Sequence, residues 1–396
     1  MQKMNFEPGA PVAEGGVALC VPEIRGNEWA YVKECLDTNF VSSVGPFVDR
    51  FERDLAKYTG AKHAIATSSG TAALHIALLV AGIEPNDEVL VSTLTFIAPV
   101  NAIRYVGAWP VFVDAERDYW QMDSQKLRDF LVDDCQRVNG GLRNIHTGRR
   151  VRAIMPVHIL GHPVDMDAIM TLAREFELTV VEDATESLGA TYKGVMTGRI
   201  GHIACFSFNG NKIITTGGGG MIVTDNEAWA RKAKYLTTQA KDDPLEFVHN
   251  EVGFNYRLTN IQAAMGCAQL EKLDEYIAIK RRIAATYAEA FDGVRGLTLM
   301  PQANWAESIF WMYTILVDAP TYGMDSLALM RKLAEHGIQA RPLWQPAHLS
   351  PAHNGSYAVD CSTAERLNRD ALSLPSSVGL TVEDQQRVID SVLNSA

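Results

Sequence analysis

Short apolar runs alternate with amphipathic stretches through the first half of the chain. The runs are HAIAT (63–67), EVLVST (88–93), PVFVDA (110–115), VRAIMPV (151–157) and LTVVEDA (178–184). The stretches with apolar residues three and four positions apart cover 71–82, 98–107, 124–133 and 165–177. This alternation predicts right-handed crossovers and an α/β fold in which helices cover both faces of a mostly parallel sheet.

A different pattern follows residue 200. IACFSF (203–208) and GMIVTD (220–225) predict two strands whose connection is too short for a crossover helix. Apolar residues at helical spacing then predict one long helix from about 258 to 291. The later segments FWMYTILVD, SLALMRKLAEHGI and TVEDQQRVIDSVL are typical of a small α+β lobe. We therefore predict a large domain over 1–272 and a small C-terminal domain over 273–396.

Composition narrows the possible partners. The 396 residues are 47% hydrophobic, and 36 basic against 47 acidic residues give a net charge of −11. An acidic chain without basic clusters argues against nucleic acid or an anionic membrane as a partner. The N-terminus, MQKMNFEPGAPVAEGG, lacks the apolar core of a signal peptide, and no apolar run is long enough to span a bilayer. Six cysteines without a Cys-x-x-Cys pair indicate reduced thiols rather than disulfides or a metal site, so we expect a cytoplasmic protein.

Two joints between a strand and the next element could bind a ligand. In TSSGTAALHIAL, Thr71 opens a helix directly after a strand, and the first N–H groups of a helix favour an anion. Taken alone, an ordinary joint with Ser69 or Thr71 as N-cap is the commoner explanation. In VVEDATESLG, Asp183 ends an apolar strand, where open α/β sheets bind ligands. By itself Asp183 could equally cap a helix, ligate a metal or pair with a cationic heterocycle.

The segment FSFNGNKIITTGGGG places Lys212 between Ser207 and four consecutive glycines. A hairpin turn with a solvated lysine is one explanation. Covalent chemistry is the other, and it requires an electrophile such as an aldehyde. A Walker-type phosphate loop is excluded because its lysine would directly follow the phosphate-binding glycines.

Together the three segments fit one ligand, pyridoxal 5′-phosphate (PLP). Gly70, Thr71 and the Ser207 hydroxyl would hold its phosphate. Asp183 would pair with its ring nitrogen, and Lys212 would form a Schiff base with its aldehyde.

With these residues in place, the chain resembles the DegT/DnrJ/EryC1/StrS family of sugar-nucleotide aminotransferases, which have the aspartate aminotransferase fold (fold-type I). The motifs that carry the resemblance are FVSSVGPFVDRFE (40–52), SSGTAALHIALLVAGI (68–83), DEVLVSTLTFIAPVNAIRYVGAWPVFVD (87–114), MPVHILGHPVDMDAI (155–169), VVEDATESLGATYKG (180–194), FSFNGNKIITTGGGG (206–220) and GFNYRLTNIQAA (253–264). They span nearly the whole chain in order. The wording NGNKIITTGGGG is most similar to transaminases of the bacillosamine and legionaminic acid routes, which act on UDP-linked 2-acetamido-4-keto-2,4,6-trideoxy sugars.

The resemblance implies a role for each matching residue in the cofactor site. Lys212 is expected to be the Schiff-base lysine and proton shuttle, and Asp183 the partner of the pyridinium nitrogen. Phe96 is expected to stack on the ring, with a core phenylalanine as the alternative. The phosphate ligands implied are Ser69, Gly70, Thr71 and Ser207.

Two positions imply further features. Glu186 stands where many relatives carry glutamine near the phenolic oxygen of the cofactor, and a carboxylate there is unfavourable unless it holds a proton. Asn255 matches an asparagine that reaches the cofactor phosphate of the neighbouring subunit, which implies a homodimer with shared active sites.

Five residues are candidates for contact with the substrate. They are Ser43, His158, Arg257, Arg341 and His348. For His158 a hydrogen-bonded core histidine is an equal alternative, and for Arg341 and His348 a solvated surface position is.

The resemblance implies a PLP-dependent transfer of an amino group from L-glutamate to C4 of a nucleotide-linked 4-keto-6-deoxy sugar. The UDP-linked 2-acetamido sugar is the first expectation. The alternatives are GDP-4-keto-6-deoxymannose, as in perosamine formation, and a 3-keto sugar nucleotide. A dehydratase of this family is disfavoured, because such an enzyme carries histidine in place of the Schiff-base lysine and this chain has Lys212. A non-catalytic regulatory protein is disfavoured because Lys212, Asp183 and Ser207 are all present.

Overall fold

The computed structural model describes residues 15–138, 141–243 and 245–395 of the chain. Within them the helices are α1 Glu28–Asp37, α2 Pro46–Thr59, α3 Gly70–Val80, α4 Ala98–Tyr105, α5 Ser124–Asp133, α6 Met166–Phe176, α7 Glu227–Thr237, α8 Asn260–Leu270, α9 Leu273–Phe291, α10 Ala319–Tyr322, α11 Ser326–Glu335, α12 Ser362–Asp370 and α13 Val382–Leu393. The strands are β1 His63–Thr67, β2 Glu88–Ser92, β3 Trp109–Val113, β4 Cys135–Val138, β5 Gly141–Asn144, β6 Val151–Met155, β7 Thr179–Asp183, β8 Thr191–Tyr192, β9 Val195–Met196, β10 Ile203–Ser207, β11 Gly220–Thr224, β12 Leu297–Thr298, β13 Ala306–Glu307, β14 Tyr313–Val317, β15 Tyr357–Ala358 and β16 Ala371–Leu374.

An eight-stranded sheet forms the centre of the molecule, in the order β1-β11-β10-β7-β6-β2-β3-β15. Every neighbouring pair is parallel except the two made by β11, which runs antiparallel to β1 and β10. The predicted mostly parallel, mixed sheet is therefore confirmed. The predicted pair of strands without a crossover helix is confirmed as β10 and β11, with Ser207 opposite Gly220.

Both faces of this sheet are buried. Along β2, Val89 and Val91 pack into one hydrophobic cluster, whereas Leu90 packs into another. Successive side chains of a strand point to opposite faces, so the two clusters lie on opposite sides of the sheet. This explains why the parallel strands are continuous apolar runs rather than alternating ones.

The helix predicted over 258–291 is wrong as a single element, because the structure contains α8 and α9 with a turn between them. Glu271 lies in that turn, where its carboxylate accepts hydrogen bonds from Asn27 (2.7 Å), Tyr31 (2.8 Å) and Arg50 (2.6 Å). These contacts with the N-terminal part of the chain hold the turn in place, and local periodicity does not reveal them. The boundary between 272 and 273 stays a prediction, which the position of this turn supports.

The C-terminal part contains the predicted mixture of helices and strands. Its sheet has the order β12-β14-β16 with antiparallel pairs, and α9 packs against α13. Among the described residues, no helix is both long and apolar enough to cross a membrane.

Candidate active site

Three strands of the central sheet bring the candidate residues to one edge. β1, β7 and β10 end at Thr67, Asp183 and Ser207, and a cleft of about 380 Å³ lies beyond these ends. Its walls include eight of the predicted cofactor residues: Ser69, Gly70, Thr71, Phe96, Asp183, Glu186, Ser207 and Lys212. The carboxyl edge of a parallel sheet is the usual ligand site of such folds, and the volume suits a small molecule.

The start of α3 forms one wall of the cleft. Ser69 has an extended backbone and its hydroxyl accepts the Ala72 N–H at 3.0 Å, so the N-cap interpretation is correct for this residue. Gly70 lies against Ser207, because a Cβ at Gly70 would be 2.8 Å from the Cβ of Ser207. The first N–H groups of α3, which have no intrahelical acceptor, therefore open beside a hydroxyl, and this combination favours an anion.

Replacing Gly70 with alanine is expected to weaken cofactor binding about tenfold or more, a loss of roughly 1.4 kcal/mol. The new methyl group must displace Ser207 from the helix start. The measurement is a titration of the cofactor-free protein with PLP. Gly210→Ala is the matched control, because a Cβ there meets nothing within 4 Å. Equal affinities for the two variants would contradict a phosphate site at Gly70.

Lys212 lies between a carboxylate and an aromatic ring. Its Nζ is 3.4 Å from Oε1 of Glu186 and 4.1 Å from the centre of the Trp311 ring, and its side chain is 12% exposed. The alternative of a solvated lysine on a hairpin turn therefore does not describe this side chain. Its amine points into the cleft rather than into bulk solvent.

Two carboxylic acids, Asp183 and Glu186, line the cleft with this amine. Oδ1 of Asp183 accepts the Thr185 N–H at 3.1 Å. Burial raises the pKa of Asp183, while the hydrogen bonds from Thr185 and the charge of Lys212 act in the opposite direction. Burial also raises the pKa of Glu186, against the charge of Lys212 and the hydrogen bond from Leu160. Lys212 is thus the cation that favours the ionised form of both acids.

Glu186 also holds a strained turn. Its Oε2 accepts the N–H of Leu160 at 2.9 Å, and Leu160 has a φ of 58°, in the left-handed region that a branched side chain rarely adopts. Such strain persists where surrounding contacts enforce it, and it is common at functional sites.

Phe96 is 55% exposed although it is a large apolar residue, and it lines the cleft. The alternative of a core phenylalanine is therefore wrong. An exposed aromatic face at the edge of a cleft suits a flat ring as a partner.

The structure does not bring the remaining predicted residues into this cleft. Asn255 is exposed, and Ser43, Arg257 and His348 are not part of the lining. The ring nitrogens of His348 contact Thr93 Oγ1 at 2.8 Å and Glu365 Oε1 at 3.2 Å. Arg341 lines a second cavity of about 650 Å³, which shares Asn211, Met312 and Trp344 with the first.

His158 is fully buried behind Asp183. Its Nδ1 accepts the Val164 N–H at 3.0 Å, so Nε2 carries the proton and donates to Glu182 at 2.9 Å. Both nitrogens are satisfied within the core, which supports the core-histidine interpretation over contact with a substrate.

Sequence reasoning missed an aromatic and a thioether side chain on the far wall of the cleft. These are Trp311 and Met312, which line the cleft together with Trp344. No local motif distinguishes them, since FWMYTILVD looks like a strand throughout. The strand begins only at Tyr313, which leaves Trp311 and Met312 in the loop that faces Lys212.

Comparisons with known proteins agree with this geometry. A model of the DegT/DnrJ/EryC1/StrS aminotransferase family matches residues 22–393. A GDP-perosamine synthase of Caulobacter vibrioides is 42% identical over 375 residues, which cover 94% of this chain and 96% of the relative. EpsN of Bacillus subtilis, described as a putative pyridoxal phosphate-dependent aminotransferase, is 38% identical over 96% of this chain and 95% of its own. A crystal structure of a DegT/DnrJ/EryC1/StrS aminotransferase from Brucella abortus superposes with a TM-score of 0.84 at 27% identity, covering 93% of this chain and 95% of that one.

Proposed function

This chain belongs to the DegT/DnrJ/EryC1/StrS aminotransferase family, and from that premise we propose that it transfers an amino group from L-glutamate to C4 of GDP-linked 4-keto-6-deoxymannose. The chain is a PLP-dependent sugar aminotransferase. The observation that supports the GDP sugar is the 42% identity over almost the full length of a GDP-perosamine synthase. The UDP-linked 2-acetamido sugar is the second candidate, favoured by the sequence NGNKIITTGGGG at 209–220.

The residues of the cleft fit PLP. Bound there, PLP supplies an electrophilic aldehyde and an electron-withdrawing ring, while the protein supplies orientation and charge. The α3 start and the Ser207 hydroxyl would bind the phosphate. The buried carboxylate of Asp183 would stabilise positive charge on the ring nitrogen, and the exposed face of Phe96 would pack on the ring.

Lys212 is the residue proposed to transfer the proton during transamination. Its Nζ is the amine in the cleft that contacts Glu186, and its largely buried side chain limits exchange with bulk water. A neutral amine at this atom would take the proton from the α-carbon of the amino donor and deliver it to the former aldehyde carbon of the cofactor. In the second half of the reaction it would move a proton from that carbon to the former keto carbon of the sugar. Trp311 covers the amine and excludes water on that side.

The second cavity is the proposed place for the sugar nucleotide. It adjoins the cleft through three shared residues, and Arg341 lines it. A guanidinium is well suited to a diphosphate, because it forms paired hydrogen bonds with phosphate oxygens.

A substrate panel tests the proposed function. The protein is incubated with L-glutamate and, in turn, the GDP-, UDP- and dTDP-linked 4-keto-6-deoxy sugars, and 2-oxoglutarate is measured. We expect kcat/KM to be at least about tenfold higher for the GDP sugar, a difference of roughly 1.4 kcal/mol. Preference for the UDP-linked 2-acetamido sugar would replace the proposed substrate with the second candidate. Turnover of none of them would overturn the assignment to sugar nucleotides.

We propose in addition that the active sites are shared within a homodimer. Leu245, Phe247 and Val252 are 87%, 66% and 84% exposed, an unusual density of exposed apolar side chains in one segment. Asn255 follows directly and is exposed outside the cleft of its own chain. A second copy that covers this segment would bring Asn255 to the cleft of the other subunit.

Complementation between two inactive variants tests the shared site. Lys212→Ala and Asn255→Ala are each expected to be impaired as homodimers. In an equal mixture that exchanges subunits, half of the dimers are mixed and one of their two sites is intact, so about one quarter of the wild-type activity returns. A mixture of Lys212→Ala with Asp183→Asn is the control and stays inactive, because both residues belong to the same chain's cleft. Failure of the first mixture to regain activity would exclude the contribution of Asn255 across subunits.

A further inference from the structure

Three hydrogen bonds hold Trp311 in place, two through its backbone and one through its indole. Its backbone N–H donates to the Leu160 carbonyl at 2.9 Å, and its ring N–H donates to the Asn211 carbonyl at 2.8 Å. Its own carbonyl accepts from Nζ of Lys280 at 2.7 Å. Trp311 is 2% exposed as a residue, and the centre of its ring lies 4.1 Å from Nζ of Lys212. The position of the aromatic face against the reactive amine therefore depends on these three bonds.

Lys280 is an unusual member of this set. It lies on α9, its side chain is buried, and its ammonium also donates to the Ser376 carbonyl and lies 4.0 Å from Sγ of Cys20. Within residues 15–138, 141–243 and 245–395 it makes no ion pair with a carboxylate. Burial lowers the pKa of Lys280. A buried ammonium without a counter-ion is costly, and stability alone does not favour it at this position.

Two of the three contacts of Lys280, those with Trp311 and Cys20, lead to segments that border the cleft. Trp311 covers Lys212, and the thiol of Cys20 donates to the carbonyl of Asn211, the residue directly before Lys212, at 3.2 Å. Lys280 thus joins α9 and the turn at Ser376 to both segments that border the reactive amine. An ammonium suits this junction because it offers three donors and needs no acceptor in return.

We propose that Lys280 is a positioning residue of the active site, which holds the Trp311 indole against Nζ of Lys212 by fixing the Trp311 carbonyl. The proposal rests on the function assigned to Lys212. An indole face attracts a cation within about 6 Å. The bond from Lys280 therefore keeps the amine of Lys212 protected and less reactive until a ligand displaces the indole or enters beside it.

Labelling of the cofactor-free, full-length protein tests the proposal without a substrate. Acetic anhydride modifies neutral amines, and peptide mass spectrometry reports the rate at Lys212, with the exposed Lys193 as internal reference. Trp311→Leu and Lys280→Met are each expected to raise the Lys212 rate by about two- to thirty-fold, which corresponds to the loss of one cation–π contact. Because the two residues act through one contact, the double variant should match Trp311→Leu alone.

Two results would overturn the proposal. One is an unchanged Lys212 rate in Lys280→Met, and the other is a double variant in which the two increases multiply. Lys280→Gln, which keeps an N–H donor without the charge, is the second variant if the methionine variant does not fold, and it should show a smaller increase. The assay needs no sugar nucleotide, so failure of the substrate panel with success of the labelling would remove the proposed substrate and leave the positioning role in place.

Discussion

Lys212→Ala is expected to lose transamination by at least about 10³-fold in kcat/KM, because one side chain supplies both the nucleophile and the moving proton. Lys212 is the amine between Glu186 and Trp311, and its side chain belongs to the wall of the cleft. The variant should therefore fold. The absorbance of a covalently bound cofactor should be absent, and borohydride should leave no cofactor mass on the peptide that contains position 212.

Lys193→Ala is the matched control for this experiment. Lys193 is an exposed lysine that pairs with Asp167, and such surface pairs contribute little to stability. It should keep the colour and the activity of the wild type. A Lys212→Ala protein that is still yellow and still traps cofactor would show that another lysine forms the bond.

Much of the fold could be predicted because its determinants are local. The strands of a parallel sheet are buried on both faces, so β1, β2 and β7 are short apolar runs whose limits the structure reproduces within one or two residues. The carboxyl ends of these strands meet at one edge, and this rule alone brings Asp183 and the start of α3 to the same place. Eight cofactor candidates therefore lie together although they come from segments more than a hundred residues apart.

The parts that could not be predicted depend on contacts between distant segments. The turn between α8 and α9 is fixed by side chains of α1 and α2 that bind Glu271. Trp311 faces Lys212 because Leu160, Asn211 and Lys280 hold it there. The periodicity and spacing of residues along the chain do not predict these contacts.

Histidines illustrate the same limit. His158 and His348 lie in motifs near the cleft, but the sequence does not tell which direction their rings face. In the structure, His158 is hydrogen-bonded to Glu182, and the ring nitrogens of His348 contact Thr93 and Glu365. Both histidines are therefore bonded within the protein and do not line the cleft.

Glu182 and Asp183 lie next to each other on one strand, but one supports the structure around the site and the other lines the cleft. They are consecutive residues of β7, so their side chains point to opposite sides. Asp183 lines the cleft, whereas Glu182 accepts hydrogen bonds from His158 at 2.9 Å and from the N–H groups of Gly198 (2.7 Å) and Ile200 (2.8 Å). Burial opposes ionisation of Glu182, but these bonds outweigh it and lower its pKa.

Asp183→Asn is expected to reduce kcat/KM by about 10²- to 10³-fold, because an amide cannot carry the negative charge that stabilises a cationic ring. The amide oxygen can still accept the Thr185 N–H, so the turn after β7 should remain. Removal of a buried charge should leave the unfolding midpoint of the cofactor-free protein unchanged or higher. The increase in midpoint on addition of PLP should become smaller. Thermal unfolding with and without PLP, together with steady-state kinetics, measures both effects.

The neighbouring substitution Glu182→Gln is the matched control, and it should give the opposite result. A glutamine amide has one N–H₂ group in place of a carboxylate oxygen, so it would face the existing N–H donors with a further donor. At least one hydrogen bond is then lost in the core, and the unfolding midpoint should fall. The chemical step should be nearly unaffected in the fraction that folds, because Glu182 does not line the cleft. If Asp183→Asn keeps activity within about tenfold of the wild type, the charge of Asp183 is not the partner of the ring nitrogen. If Asp183→Asn loses activity and Glu182→Gln loses stability, the Asp183 carboxylate serves the chemistry and the Glu182 carboxylate serves folding.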